Sequence, residues 1–463
     1  MASVPRCSPS AQDTDARGVV AFLDAIDGVA GIEPHSVMLL RHGYVIAEGW
    51  WAPYAPQGVQ QLYSLGKLFT ATAVGLARAE GRLDLDAPVV SYFPELAAEI
   101  TDPRSRSILV RHIASMSAGH TTEQWFRALA TDPAEPVRGF LLEPPDGTPG
   151  VTFAYSQSTT YTLAAIVQRV TGQTLTEFLR PRLFEPLGIG EAFWLPYPAG
   201  REAGFAGLHT TTEAVARLGQ LYLQGGVWEG RQLLAPEWVA AATRAQVDNS
   251  GTGATPDWTQ GYGFQFWMSR HGYRGDGAFG QFCVVLPEQD AVLALTAETE
   301  NMQGVLDAAW AHLLPALGDG GTGSATADAL LQRRLTGLQL PFPEGDAVPR
   351  GEFTAARSAL PLLERITLAP TELTLYEKHG ATTTLRLHAG SWPVTGHIAA
   401  RATRTSPDTV VAHLQLVRSA HKLRLTCDLR TGTFDAEWRT VPLMTRPETP
   451  LAAHAYPTHP NFP

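Results

Sequence analysis

Three features of the chain point to a mixed α/β body followed by an all-β domain. Residues 36–48 read as two short apolar strands turning at Arg41-His42-Gly43, and strand character returns at 281–286 and 291–296, beyond a mainly helical stretch over 83–188. Short strands then fill 363–439 with period-two alternation, as at Leu423, Leu425, Cys427 and Leu429, the pattern of a sheet with one buried face. Between the two regimes, Gly318-Asp319-Gly320-Gly321-Thr322-Gly323-Ser324 has the composition of a flexible linker.

Each element follows from its own pattern. Residues 68–79 are almost wholly apolar and end at Glu80-Gly81-Arg82, so they form a helix without a polar face, which belongs in the core. An amphipathic helix spans 159–170, with Leu163, Ile166, Val167 and Val170 on one side. Another covers 212–224 and stops at Gly225-Gly226. A strand is expected at 261–268 and helices at 305–314 and 327–335; the C-terminal strands are expected at 371–376, 382–387, 409–416, 422–429 and 433–439. The division predicted is 18–317 as the main domain, 318–350 as linker and short helix, and 351–448 as the all-β domain.

Bulk composition excludes several functions. The net charge is −10, with 12 basic and 9 acidic residues after position 350 and an acidic balance before it. An acidic body without a basic run argues against nucleic acid as a partner. The three cysteines (Cys7, Cys283, Cys427) fit neither a disulfide framework nor a zinc spacing, no histidine pair has metal-ligand spacing, and no cofactor motif appears. Residues 1–17 are polar and no apolar run reaches the length of a membrane span, so a cytoplasmic location is expected.

The most informative feature is lysine usage. Against 32 arginines there are three lysines, and Lys67 is the only one in the first 377 residues. It stands in Ser64-Leu65-Gly66-Lys67, at the mouth of the apolar helix, one turn from the serine. A serine hydroxyl is a poor nucleophile until a base takes its proton, and a desolvated lysine, unlike arginine, loses its own proton readily enough to be that base. Tyr155-Ser156-Gln157 precedes the 159–170 helix; its phenol could shuttle a proton and its amide could hydrogen-bond a substrate carbonyl. Gly275-Asp276-Gly277-Ala278-Phe279-Gly280-Gln281 leads into the 281–286 strand, where glycines allow close approach and a backbone N–H could join that of Ser64 in an oxyanion hole.

Together these segments resemble the serine β-lactamase and penicillin-recognising superfamily, in its branch of class C β-lactamases, family VIII carboxylesterases and DD-peptidases. Supporting stretches are Val110 to His120, Thr171-Gly172, Pro186-Leu187-Gly188-Ile189 and Gly207-Leu208-His209-Thr210-Thr211, over roughly residues 20–317. The resemblance implies a β-lactamase-like fold, a helical subdomain against an antiparallel sheet. It implies Ser64 as the acylated nucleophile, Lys67 as its activating partner, Tyr155 as the second acid and base, and the N–H groups of Ser64 and Ala278 as the oxyanion hole. The chain departs from the family at two places: Gln157 stands for its asparagine, and Gly275-Asp276-Gly277 for the Lys-Thr-Gly of its edge strand. Lactamases and peptidases hold the substrate carboxylate with that lysine; here Arg274 is the nearest cation and Asp276 would repel an anion.

The leading reading is therefore a serine hydrolase acting on small neutral esters, with Ser64, Lys67 and Tyr155 catalytic and Ala278, Gly277, Asp276 and Gln157 near the substrate. Its alternatives are a D-amino-acid peptidase, amidase or β-lactamase, and a non-catalytic binding protein on the same fold. His112, His120 and His209 read as scaffold, and Trp125 and Phe126 as either pocket lining or aromatic core.

Overall fold

The computed structural model of the protein describes residues 4–197, 200–318, 323–443 and 448–455. Helix α1 (Ala16–Gly28) opens on Asp15, whose side chain accepts from Arg17 N, and buries Val19, Phe22, Leu23 and Ile26 at helical spacing. Strands β1 (Ile32–Arg41) and β2 (Tyr44–Trp50) form the hairpin expected at 36–48. His42 and Gly43 both take positive φ at its turn, as tight hairpin turns require. Helices α2 (Lys67–Ala79), α3 (Gln157–Thr171) and α4 (Thr212–Leu223) follow the predicted apolar faces.

Strands β3 (Trp267–Met268), β4 (Tyr273–Gly277), β5 (Gln281–Leu286) and β6 (Ala291–Thr299) complete a six-stranded antiparallel sheet of order β3-β4-β5-β6-β1-β2. The strand expected over 261–268 is reduced to its last two residues; before them the chain makes only isolated bridges at Tyr262. β1 and β6 are buried at every position because both faces of the sheet are covered. Met38, Leu40, Val292 and Ala294 join a core with α2, α3 and α4, while Val37, Leu39, Leu293 and Leu295 join a second core with α1. Alternate side chains of one strand thus serve two cores, as the period of two dictates.

Of the linker segment, Asp319 to Thr322 lies outside the described residues. Helix α5 (Ala325–Thr336) then packs on α1. The C-terminal sheet comprises β7 (Gly351–Ser358), β8 (Leu363–Ala369), β9 (Glu372–Glu377), β10 (Thr382–Arg386), β11 (Val394–Thr395), β12 (Ile398–Ser406), β13 (Thr409–Leu416), β14 (Lys422–Asp428) and β15 (Thr433–Trp438). Its order is β10-β9-β8-β7-β15-β14-β13-β12-β11, and the outer strands β10 and β11 meet, curling it into a barrel-like domain. All five predicted C-terminal strands are present. β7, β8, β11 and β12 lie outside those five; β7 and β12 carry Arg, Ala and Thr where alternation would need large apolar residues.

The barrel-like domain is fastened to the body. Trp392 and Ala399 belong to the core around α1. Lys422 Nζ pairs with the buried Glu33 of β1, and Arg439 bridges Glu33 (3.1 Å) and Glu298 of β6 (3.3 Å). Glu33 and Glu298 face each other in the β1–β6 register. Burial works against both charges. At Glu33 it is outweighed by His35, Lys422 and Arg439, which hold the carboxyl low, whereas at Glu298 burial and the Glu33 charge push it up.

Candidate active site

The chain enters the site pinned on both sides: Gln61 N donates to Arg418 O (2.9 Å) and Leu62 N to Leu208 O (2.8 Å). Tyr63 then takes a left-handed φ of 49° and opens a tight 3-10 turn, Tyr63–Gly66, that runs straight into α2. Such a conformation costs a non-glycine residue about 1–2 kcal/mol and persists only where its surroundings hold it. Gly75, deeper in α2, lies so close to Trp238 that a Cβ would sit 2.5 Å from the indole. The helix is therefore seated deep in the body, and Lys67, its first residue, is 2% exposed.

Lys67 Nζ has three oxygen partners: Ser64 Oγ at 2.9 Å, Gln157 Oε1 at 2.7 Å and Phe205 O at 3.0 Å. The last two can only accept. A neutral amine donates its two protons to them and turns its lone pair to the remaining oxygen, the one that has a proton to give. Burial lowers the lysine pKa to about 7, against the opposing pull of Glu123 and Asp276. The Tyr155 ring lies 4.8 Å from Nζ and stacks on Trp267 at 5.2 Å. Burial, with Asp276 nearby, holds the phenol protonated well above its ordinary range, against the opposing pull of Ser64.

Gln157 opens α3, and its backbone N donates to both oxygens of Glu123 (2.8 and 3.1 Å). Glu123 also accepts from Ser156 Oγ (3.2 Å) and Trp125 N (2.8 Å), placing a carboxylate at the start of two helices where the backbone donors favour it. Glu123 is not marked in the sequence: its bonds to Ser156 and Gln157 span more than thirty residues, and its local bond to Trp125 N is an ordinary helix start.

β4 crosses the Ser64 turn at close range. A Cβ on Gly277 would fall 2.1 Å from Leu62 O and 3.0 Å from Leu65 N, and one on Gly275 would fall 2.5 Å from the Leu68 side chain. Both positions need glycine, and no lysine fits at 275. Ala278 follows directly and packs with Tyr63 and Phe279. Phe279 also has a left-handed φ, 65°, and the buried Gln281 amide donates to the carbonyls of Ala278 (3.3 Å) and Phe279 (3.1 Å). Asp276 is 7% exposed and accepts from Arg274 Nε at 2.9 Å. Arg274 is fully buried, bonded to Asp257 O (2.7 Å) and Ser269 Oγ (2.5 Å) and stacked over Trp258 at 4.2 Å.

The structure thus brings Ser64, Lys67, Tyr155, Gln157, Gly277 and Ala278 together, with Asp276 committed to Arg274. The discounted histidines are bonded within the scaffold: His112 accepts from Leu109 N, His120 meets Glu143 O, and His209 meets Gly207 O while stacking on Phe193. Trp125 is core, against Tyr161, Tyr197 and Phe205, whereas Phe126 is exposed.

Residues 17–317 match the Beta-lactamase family, and the chain belongs to that family of serine hydrolases. The 6-aminohexanoate-dimer hydrolase of Paenarthrobacter ureafaciens is 30% identical over 288 residues, covering 55% of this chain and 70% of that one. The lovastatin esterase of Penicillium rubens is 30% identical over 172 residues, 32% of this chain and 42% of the esterase. The solved octameric penicillin-binding protein homologue from Pyrococcus abyssi shares the fold with a TM-score of 0.51 at 16% identity, over 88% of this chain and 97% of that one. No helix among the described residues is long and apolar enough to cross a membrane.

Proposed function

We propose that the protein hydrolyses small neutral carboxylic esters through an acyl-Ser64 intermediate. The observation that carries this reading is the environment of Lys67 Nζ, where two obligate acceptors leave the lone pair to the Ser64 hydroxyl. The neutral amine takes the Ser64 proton as Oγ attacks the ester carbonyl carbon. The N–H groups of Ser64 and Ala278 receive the negative charge that develops on the carbonyl oxygen. As the tetrahedral intermediate collapses, the alcohol leaves with a proton relayed from Lys67 through Tyr155. Water then attacks the acyl-enzyme, Lys67 and Tyr155 remove its proton, and the carboxylic acid departs with Ser64 restored.

Neutral esters are favoured over β-lactams and carboxylate-bearing peptides by the packing of β4. Leu68 closes the Gly275 position to a lysine, and Arg274 is buried in its own bonds with Asp276. A substrate carboxylate there would meet Asp276 and lose hydration without gaining a free cation. Amide cleavage is the second reading, supported by Tyr155, which stays protonated beside Ser64 and could give its proton to an amine leaving group. The test compares kcat/KM for p-nitrophenyl butyrate, an aminoacyl p-nitroanilide and a chromogenic cephalosporin, with Ser64→Ala as control. Ester turnover should be fastest and vanish in Ser64→Ala; faster cephalosporin turnover, lost in Arg274→Ala, would overturn the ester reading.

A further inference from the structure

We propose that His421, carried by the β13–β14 hairpin of the C-terminal sheet, is a positioning residue for the oxyanion-binding N–H groups of Ser64 and Ala278. This rests on the acyl-Ser64 reading and adds to it a contribution from outside the family-matched segment, 17–317.

Tyr63 immediately precedes Ser64, and Phe279 immediately follows Ala278. Both hold left-handed backbone conformations that an L side chain abandons unless its surroundings prevent it. One residue packs against both. The His421 ring meets Phe279 edge-on at 4.9 Å and Tyr63 at 6.0 Å, while Tyr63 and Phe279 meet each other at 5.3 Å. Ala420 completes this small core together with Ala278. Tyr63 Oη is hydrogen-bonded to His421 Nε2. Direction follows from the other ring nitrogen: Nδ1 lies 3.1 Å from Thr440 O, which can only accept, so Nδ1 carries the proton and Nε2 accepts from the phenol. Thr440 Oγ1 in turn donates to Glu298 at 2.6 Å, which ties the imidazole to the end of β6.

The same hairpin grips the chain upstream of the nucleophile. Arg418 O accepts from Gln61 N at 2.9 Å, and Ser419 O from the Tyr54 hydroxyl at 3.2 Å. Hydrogen bonds and ring contacts from one loop therefore converge on the two residues whose peptides flank the proposed oxyanion site. An oxyanion donor is effective only when it is fixed at its distance before reaction, so loosening these turns weakens transition-state binding more than substrate binding.

The test uses the full-length chain with His421→Ala, His421→Phe (ring kept, acceptor removed) and His421→Gln (an acceptor kept). Readouts are kcat and KM for p-nitrophenyl butyrate, affinity for phenylboronic acid as a tetrahedral mimic, and circular dichroism for folding. Ala and Phe should lower kcat by roughly 10- to 100-fold, leave KM within about threefold, and weaken the boronate by the same factor as kcat/KM. Gln should recover part of kcat. Should His421→Ala not fold, His421→Phe and Tyr63→Phe carry the same expectation with volume preserved. A folded His421→Phe with kcat and boronate affinity at wild-type values, or with a raised KM at unchanged kcat, would overturn the proposal. Wild-type turnover that survives Ser64→Ala would instead defeat the acyl-Ser64 reading.

Discussion

Replacing Lys67 with arginine separates charge from basicity at one atom. Guanidinium keeps the positive charge and can still donate to Gln157 Oε1 and Phe205 O, the two acceptors around Nζ. What it loses is the lone pair. With the lysine pKa lowered to about 7, most of the amine is neutral at pH 8. A guanidinium with its pKa near 12.5 is neutral in only about 3 molecules per 10⁵ at that pH. The supply of base thus falls on the order of 10⁴-fold, equivalent to about 6 kcal/mol of barrier. The assay is kcat/KM for p-nitrophenyl butyrate across pH 5–9, with circular dichroism confirming the fold. Wild-type activity should climb about tenfold per pH unit below pH 7, where the amine must shed a proton to act, and level off above it. Lys67→Arg should lie about four decades lower at pH 8. A variant within tenfold of wild type, or a flat wild-type profile between pH 6 and 8, would refute Lys67 as the base.

The remaining expectations concern stability and packing. Lys67 has a folded pKa below its free value of 10.5, so the unfolded chain binds more protons between about 7 and 10.5 and wild-type stability rises with pH across that window. Lys67→Met should abolish that component, read as a smaller rise of Tm with pH than wild type. Glu298 behaves oppositely: its folded pKa, raised to about 8, makes its contribution complete below about 4.5 and lost as pH rises through 8. Glu298→Gln should flatten that loss in a thermal-shift series, and an unchanged slope would remove Glu298 as its source. Gly275→Ala should cost about 1–3 kcal/mol in denaturant unfolding by driving a methyl into Leu68, and adding Leu68→Ala should recover part of it. Arg274→Ala should destabilise by about 3–5 kcal/mol, because it leaves Asp276 buried without its partner.

Local chemistry and periodicity made part of this protein legible from its residues alone. The apolar run behind Ser64 had to be a buried helix, and the pairing of a serine with the one early lysine a turn away marked its mouth. Alternation placed five of the C-terminal strands, and the glycines at 275 and 277 marked a close approach. Where side chains were small or charged, as in β7 and β12, alternation was muted and the strands went unseen, because their pairing rests on backbone hydrogen bonds supplied by neighbours. What those glycines approach, the Leu62 carbonyl and the Leu68 side chain, depends on how the chain folds back on itself. That folding alone committed Arg274 to Asp276, set Glu123 under two helix starts, and brought His421 to Tyr63 from 358 residues away. Left-handed φ at Tyr63 and Phe279 leaves no trace in residue type, since nothing intrinsic to tyrosine or phenylalanine favours it. Contacts distant in sequence hold those turns, and such contacts exist only once the chain has folded.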